Sequence, residues 1–114
     1  MRTFAQISLA ERDRAAIAEA VSLLSRRFPV ERVILFGSKA RGTDDPDSDI
    51  DLLVLTSREL DRRERNALID ALFDVELDRD VVISPIILPV KEWEEGICRV
   101  LPIRDEIDRD GVRL

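Results

Sequence analysis

Two aspartates, Asp49 and Asp51, are the residues of this sequence whose type and spacing point most directly to chemistry. They stand two positions apart at the start of the apolar segment 50–55. In an extended strand such residues project from the same face, roughly 7 Å apart along the backbone, so both carboxylates can converge on one ion. Unpaired charges beside an apolar strand are costly, and a hard divalent cation such as Mg²⁺ would relieve their repulsion. The pair predicts a metal site built from oxygen ligands.

Three more aspartates, Asp44, Asp45 and Asp47, lie just upstream beside Pro46. Aspartate and proline are common in turns because their backbone preferences suit them there. We therefore interpret these three residues as a solvated turn rather than as part of the metal site.

A glycine turn, Gly37-Ser38, directly follows the apolar run 33–36. Glycine lets the backbone approach a ligand closely, and a helical turn after it would direct N–H groups at a phosphate. The segment from Gly37 to Gly42 also has the GxxxxG spacing of a Walker A loop, but Thr43-Asp44 replaces the required Lys-Ser/Thr pair. The turn thus predicts a phosphate contact that is not a P-loop.

Together these two motifs carry a family resemblance. The string Phe36-Gly37-Ser38, followed after ten residues by Asp49-Ile50-Asp51-Leu52, resembles the signature of the DNA polymerase beta-like nucleotidyltransferases. The longer pattern of GSKARG and then SDIDLLV is similar to the minimal nucleotidyltransferases, which are small stand-alone domains. The resemblance is tight over residues 33–55 and loose over 56–88.

The resemblance implies a role for each matching residue. In the family, the two strand acids bind two Mg²⁺ ions, which places Asp49 and Asp51 as catalytic metal ligands. The Gly-Ser turn holds the terminal phosphates of the nucleotide, which assigns Gly37 and Ser38 to the nucleotide. A third carboxylate on a later strand completes the family's site.

For that third carboxylate we predict Asp80, which immediately precedes the next β-rich segment. A helical crossover would make the two strands parallel and bring their N-terminal ends together. Asp78 and Glu76 remain alternatives. Beside the glycine turn, Lys39 and Arg41 are predicted to stabilise charge on the triphosphate, as cations do in phosphoryl transfer.

The elements that must position these residues follow from hydrophobic periodicity and helix-capping signals. A Ser8/Glu11 capping box predicts that the first helix begins at residue 8, and Pro85 indicates that the last strand lies at a sheet edge. The predicted order is helix 8–27, strand 33–36, loop 37–48, strand 50–55, helix 57–77, strand 81–88, a helical turn at 91–95 and helix 103–110. This order predicts an α/β (α+β) domain, a small mixed sheet flanked by helices, and the resemblance implies the DNA polymerase beta-like nucleotidyltransferase fold.

The whole chain of 114 residues is predicted to be one domain, with a core at about 8–88 and a C-terminal extension at 89–114. A net charge of −6 argues against general nucleic-acid binding, which needs basic surface. Because the chain has no histidine and one cysteine, Cys98, zinc clusters and Ser-His-Asp triads are excluded. The sequence has no long apolar stretch and no secretory signal pattern. We therefore expect a cytoplasmic protein that does not associate with a membrane.

The predicted activity is Mg²⁺-dependent transfer of a nucleoside monophosphate, AMP from ATP being the expected case, to an acceptor hydroxyl. The resemblance further implies an antitoxin whose partner is a small helical toxin of the HEPN class, which some relatives adenylylate. One alternative is a non-catalytic module that masks its partner through 89–114 and keeps the nucleotide site as a relic. Another is a small-molecule modifier like the aminoglycoside nucleotidyltransferases, although those usually carry an extra domain.

Overall fold

The computed structural model describes residues 1–43 and 46–114, so the turn prediction for Asp44 and Asp45 lies outside the described residues. Asp47 lies in an exposed turn, as predicted. The strands are β1 (Arg2–Thr3), β2 (Val30–Phe36), β3 (Ile50–Thr56), β4 (Ile83–Pro89) and β5 (Val112–Arg113). The helices are α1 (Glu11–Arg27), α2 (Gly37–Arg41), α3 (Arg62–Arg79), α4 (Val90–Glu95) and α5 (Pro102–Asp110), with 3₁₀ turns at Phe4–Gln6 and Ile97–Val100.

The strands form one mixed sheet in the order β1-β5-β2-β3-β4. β2 and β3 are antiparallel, whereas β3 and β4 are parallel because α3 carries the chain back across the sheet. The predicted parallel crossover is therefore confirmed. β4 forms an edge of the sheet. An edge strand tolerates Pro85 because the N–H that proline lacks need not be part of a hydrogen bond between strands.

Both faces of the sheet are covered, which explains why its central strands are mostly apolar. On one face, Ile50, Leu52 and Val54 pack with α1 and α3 residues in one core cluster. On the other face, Leu53 and Leu55 pack in a second cluster that includes Trp93 and Ile107. A strand buried on both sides gains from every apolar side chain, so a continuous hydrophobic run is expected.

The segment 89–114 is part of this architecture, with no structural break at residue 88. Trp93 of α4 is 3% exposed and Ile107 of α5 is wholly buried, both in the second cluster. β5 pairs with β2, and β1 pairs with β5. The chain's two ends therefore extend the sheet, and the predicted extension contributes Trp93 and Ile107 to the second core cluster.

Two helix starts differ from the prediction. α1 begins after Ala10, whose side chain makes no capping bond, so the Ser8/Glu11 capping box is wrong. α3 begins after Asp61, where Asp61 Oδ1 accepts from the Glu64 N–H at 2.8 Å and the Glu64 carboxylate accepts from the Asp61 N–H. That reciprocal capping box starts the helix at residue 62 rather than at 57. Among the described helices, none combines the length and hydropathy that crossing a bilayer requires.

Candidate active site

The acid pair lies where β3 enters the sheet. Asp49 immediately precedes the strand and is exposed, and Asp51 is its second residue and is partly buried. Side chains alternate along a strand, so Asp51 shares a face with Leu53 and Leu55 of the second core cluster. The two carboxylates thus stand at the open end of an otherwise apolar strand face.

Ser84 of β4 joins this pair from the neighbouring strand. It lies opposite Asp51 in the parallel register, and its hydroxyl donates a hydrogen bond to Asp49 Oδ2 at 2.9 Å. Sequence reasoning did not single out Ser84. The available signal was a polar residue within an apolar strand, but its partner depends on a register that local sequence does not specify.

Gly37 brings the turn after β2 against the same acids. Phe36, its neighbour, lies opposite Asp51 in the antiparallel register. Gly37 has φ +76°, and a Cβ there would lie 3.1 Å from Asp51 Cγ and closer still to Oδ2. Only glycine fits this conformation and this proximity without strain. The structure therefore brings Gly37, Asp49 and Asp51 together, with Ser38 following in the first turn of α2.

Lys39 has a different position from the one predicted. Its side chain is wholly buried, and its Nζ lies 2.8 Å from Oδ2 of Asp13 on α1. A buried ammonium needs a close anionic partner because removal from water destabilises its charge. The buried Lys39 ammonium therefore joins α2 to α1.

Arg41, at the end of α2, is at the surface. Its Nη1 lies 2.9 Å from Oε1 of Glu106 on α5, and both side chains are more than a third exposed. Glu106 was not among the predicted site residues. It comes from a helix far along the chain, in the segment that the sequence analysis separated from the core.

The electrostatic environment of Asp51 shows which charges surround the site. Partial burial raises the pKa of Asp51 above its ordinary value, the negative charges of Asp49 and Glu106 raise this pKa further, and the Arg41 guanidinium lowers it. The ionised form of Asp51 is thus disfavoured by its surroundings. A cation between the acids would reverse this balance.

Asp80 lies at a different kind of position. It is the C-cap of α3 in the left-handed region, with φ +56°, and its N–H donates to the Glu76 carbonyl. The alternatives Asp78 and Glu76 belong to the last turn of α3. Within 1–43 and 46–114, no three acidic, cysteine or histidine side chains are grouped so that they could hold a metal ion. The structure thus places Asp49 and Asp51 together and does not group Asp80 with them.

The donor set fits a magnesium ion. Mg²⁺ prefers oxygen ligands and is commonly held by one or two carboxylates, with water and substrate phosphates completing its coordination. Asp49 and Asp51 supply two such carboxylates, and the missing side chain of Gly37 leaves room beside them. A nucleotide could bring the remaining oxygens.

Comparison with known proteins decides the family. Residues 17–110 match a family model described as a nucleotidyltransferase domain. The chain belongs to the nucleotidyltransferase family. This confirms the predicted family.

Individual relatives agree with this assignment. The nucleotidyltransferase is 43% identical over 58 residues to a Methanocaldococcus jannaschii protein provisionally named protein adenylyltransferase MJ0141; the match covers 51% of this chain and 59% of that protein. A solved structure provisionally described as a minimal nucleotidyltransferase is 28% identical, with a TM-score of 0.62 over 95% of this chain and all of that one. These matches confirm the predicted fold.

A third similar structure contains a partner protein. It is described as a tri-AMPylated HEPN toxin of Shewanella oneidensis in complex with the MNT antitoxin. The matched chain is 18% identical to the nucleotidyltransferase, with a TM-score of 0.54 over 88% of this chain and 69% of that one. At this identity the likeness shows a shared fold.

Proposed function

We propose that this nucleotidyltransferase transfers AMP from ATP, with Mg²⁺, to a hydroxyl group on a partner protein. The observation that carries the proposal is the contact between the Gly37 turn and the Asp49/Asp51 pair. It places a backbone able to approach phosphate beside two carboxylates able to hold a metal. This is the combination that nucleotidyl transfer needs, since such transfer depends on positioning and charge stabilisation.

Asp49 and Asp51 would hold the metal, and Ser84 would fix the orientation of the Asp49 carboxylate through its hydrogen bond. Mg²⁺, when bound, would neutralise the triphosphate and lower the pKa of the attacking hydroxyl. The need for a cation follows from the site itself, because the acid pair without one would repel a triphosphate.

The remaining residues would bind and orient the nucleotide. Gly37 leaves room for the phosphates against the backbone, and the partly exposed Ser38 could add its hydroxyl. Arg41 is the cation at the surface of this end of α2. In the reaction, the acceptor oxygen forms a bond to the α-phosphorus while the bond to the bridging oxygen breaks, so that pyrophosphate leaves and the acceptor carries AMP.

A protein acceptor is favoured by the architecture. The described residues form one sheet with its helices, and the acid pair stands at an open end, with Asp49 exposed. An acceptor that brings its own binding surface suits such a site better than a small molecule needing a deep pocket. We propose a HEPN-class toxin as this partner and the cytoplasm as the location, in line with the adenylylated toxin of the similar Shewanella complex.

The proposal is tested with purified protein, Mg²⁺ and ATP labelled either at the α- or at the γ-phosphate. The acceptor is the HEPN-class protein encoded beside this gene, or a host lysate where no such neighbour exists. Transfer of AMP labels a protein from α-labelled ATP only, whereas a kinase would use the γ-label. Label must be absent with EDTA and with Asp49→Asn. Label on RNA or on a small molecule would contradict a protein acceptor.

A second function, non-catalytic masking of a protein partner, is favoured by one observation. Within the described residues no third acid joins Asp49 and Asp51. A relic site would still bind Mg²⁺ and ATP but would label no acceptor. The same labelled-ATP experiment, combined with a calorimetric measurement of ATP binding, therefore separates the two functions.

A further inference from the structure

The ion pair between Arg41 and Glu106 connects the nucleotide turn to the C-terminal helix. Arg41 Nη1 and Glu106 Oε1 are 2.9 Å apart, and the side chains are 39% and 37% exposed. Exposed ion pairs contribute little to stability because water screens them and two flexible side chains must be ordered. Stability alone is therefore a weak explanation for this contact.

α5 is anchored firmly enough to hold Glu106 in a defined place. Ile107, the next residue, is wholly buried in the cluster that contains Phe36 and Leu53. Two positions before Glu106, Arg104 stacks over the Trp93 ring at 4.6 Å and donates to the Trp93 carbonyl at 2.6 Å. The backbone beside Glu106 is thus fixed from both sides, while its carboxylate reaches out to Arg41.

The pair lies within electrostatic reach of the acid pair. Arg41 ends the short helix α2, and the first residue of that helix, Gly37, lies against Asp51. Since Arg41 carries five N–H donors and uses Nη1 for Glu106, other donors remain for a phosphate. A carboxylate that binds one side of a guanidinium group also fixes the direction in which the other N–H groups of that guanidinium point.

We propose that Glu106 is a positioning residue that orients Arg41 for the triphosphate of the bound nucleotide. This inference rests on the proposed function, because it assumes that the turn beside Asp51 binds ATP. Glu106 is not proposed as a metal ligand, since the described residues contain no three-acid group. α5 thereby contributes to nucleotide affinity without touching the nucleotide.

Removing Glu106 can change triphosphate binding in either direction, and the direction separates two explanations. If Glu106 only added negative charge near Asp51, its removal would strengthen triphosphate binding. If it positions Arg41, its removal weakens binding, and it does so only while Arg41 is present. A double-mutant cycle measures this dependence directly.

The experiment uses calorimetry with AMP-PNP and Mg²⁺ on the full chain. We expect Arg41→Ala and Glu106→Ala each to raise the Kd by roughly three- to tenfold. The double variant should bind no more weakly than Arg41→Ala. Glu106→Gln, which keeps an acceptor for Nη1, should retain an affinity near that of the wild type. Asp105→Ala, one position away on α5 and exposed, serves as the matched control and should leave the Kd unchanged.

Additive effects of the two alanine substitutions would overturn the proposal, as would an unchanged or lower Kd for Glu106→Ala. An equal loss in Asp105→Ala would also overturn it, because the effect would then come from a general disturbance of α5 and not from the contact with Arg41. If the turn beside Asp51 does not bind ATP, the result is different, and the wild-type protein shows no Mg²⁺-dependent binding at all. That result would remove both proposals.

Discussion

Gly37 and Asp51 are packed so closely that a side chain at residue 37 would displace the Asp51 carboxylate. A Cβ on Gly37 would lie 3.1 Å from Asp51 Cγ, with Oδ2 nearer still. From the sequence alone, this glycine is explained by the approach of a phosphate. In the structure, the glycine also makes room for the Asp51 carboxylate.

Replacing Gly37 by alanine should therefore damage both folding and binding. We expect Gly37→Ala to lose about 1–2 kcal/mol of unfolding free energy from its positive φ alone, and more from the clash with Asp51. The Kd for Mg²⁺ and AMP-PNP should rise at least tenfold, because the carboxylate must move. Urea unfolding and calorimetry measure the two effects.

Gly42 provides the matched control for Gly37. Its φ is +74°, nearly the same, but a Cβ there meets none of the described atoms within 4 Å. Gly42→Ala should therefore show the conformational cost without the clash, and its nucleotide affinity should stay near that of the wild type. If both alanine variants bound nucleotide equally well, the contact with Asp51 would have no part in the site.

Asp51→Asn should separate folding from function. The surroundings of Asp51 raise its pKa, so its ionised form is disfavoured in the folded protein without metal. Removing the charge should leave the unfolding free energy in EDTA unchanged or raise it, while Mg²⁺-dependent nucleotide binding and transfer are abolished. Asp49→Asn should behave in the same way. The exposed Asp74→Asn is the control, and an Asp51→Asn protein with full transfer activity would contradict the metal site.

Lys39 should be more important for stability than for nucleotide binding. Removing one partner of a buried ion pair typically costs about 3–5 kcal/mol, but Arg12 Nε, 3.6 Å from Asp13 Oδ1, compensates part of the remaining charge. Lys39→Met should therefore lower the unfolding free energy by an amount at or below the lower end of that range, and adding Asp13→Leu should restore part of it. Urea unfolding measures this loss of stability. If Lys39→Met were as stable as the wild type but had lost nucleotide affinity, the result would instead support the predicted phosphate contact.

Local sequence patterns predicted most of the fold because its central elements have strong local signals. The apolar runs of β2 and β3 and the helical stripe containing Leu68 and Leu72 identify their own elements. β1 and β5, with two residues each, have no such signal, since pairing with distant strands alone makes them extended. Such short strands are set by tertiary structure rather than by local preference.

The site residues also divide into those that local sequence identifies and those that depend on tertiary structure. Asp49, Asp51 and the Gly37 turn could be named from spacing because they lie on one strand and one turn. Ser84 and Glu106 could not, because their contacts depend on strand register and on the docking of α5. The burial of Lys39 could not be predicted, because its partner Asp13 lies on another helix and a charged residue in a loop pattern is ordinarily exposed.

Asp80 gives the test of the third carboxylate. Parallel pairing does bring the starts of β3 and β4 together, with Ile50 opposite Ile83. Asp80, however, lies before β4, where it ends α3 with φ +56°. Aspartate, asparagine and glycine tolerate this conformation better than alanine does. A capping role therefore explains the residue without reference to the metal.

If capping is its role, Asp80→Asn should transfer AMP at the wild-type rate, and Asp80→Gly should be more stable than Asp80→Ala by about 1 kcal/mol. Steady-state kinetics and urea unfolding check these expectations on the same proteins. If Asp80 is the third carboxylate, Asp80→Asn should instead lower the transfer rate far more than it weakens ATP binding. Such a group acts chiefly in the transition state, and the loss would appear in kcat rather than in Kd. That second result would require the chain to move Asp80 toward Asp49 and Asp51 when nucleotide binds, and it would exclude the relic interpretation.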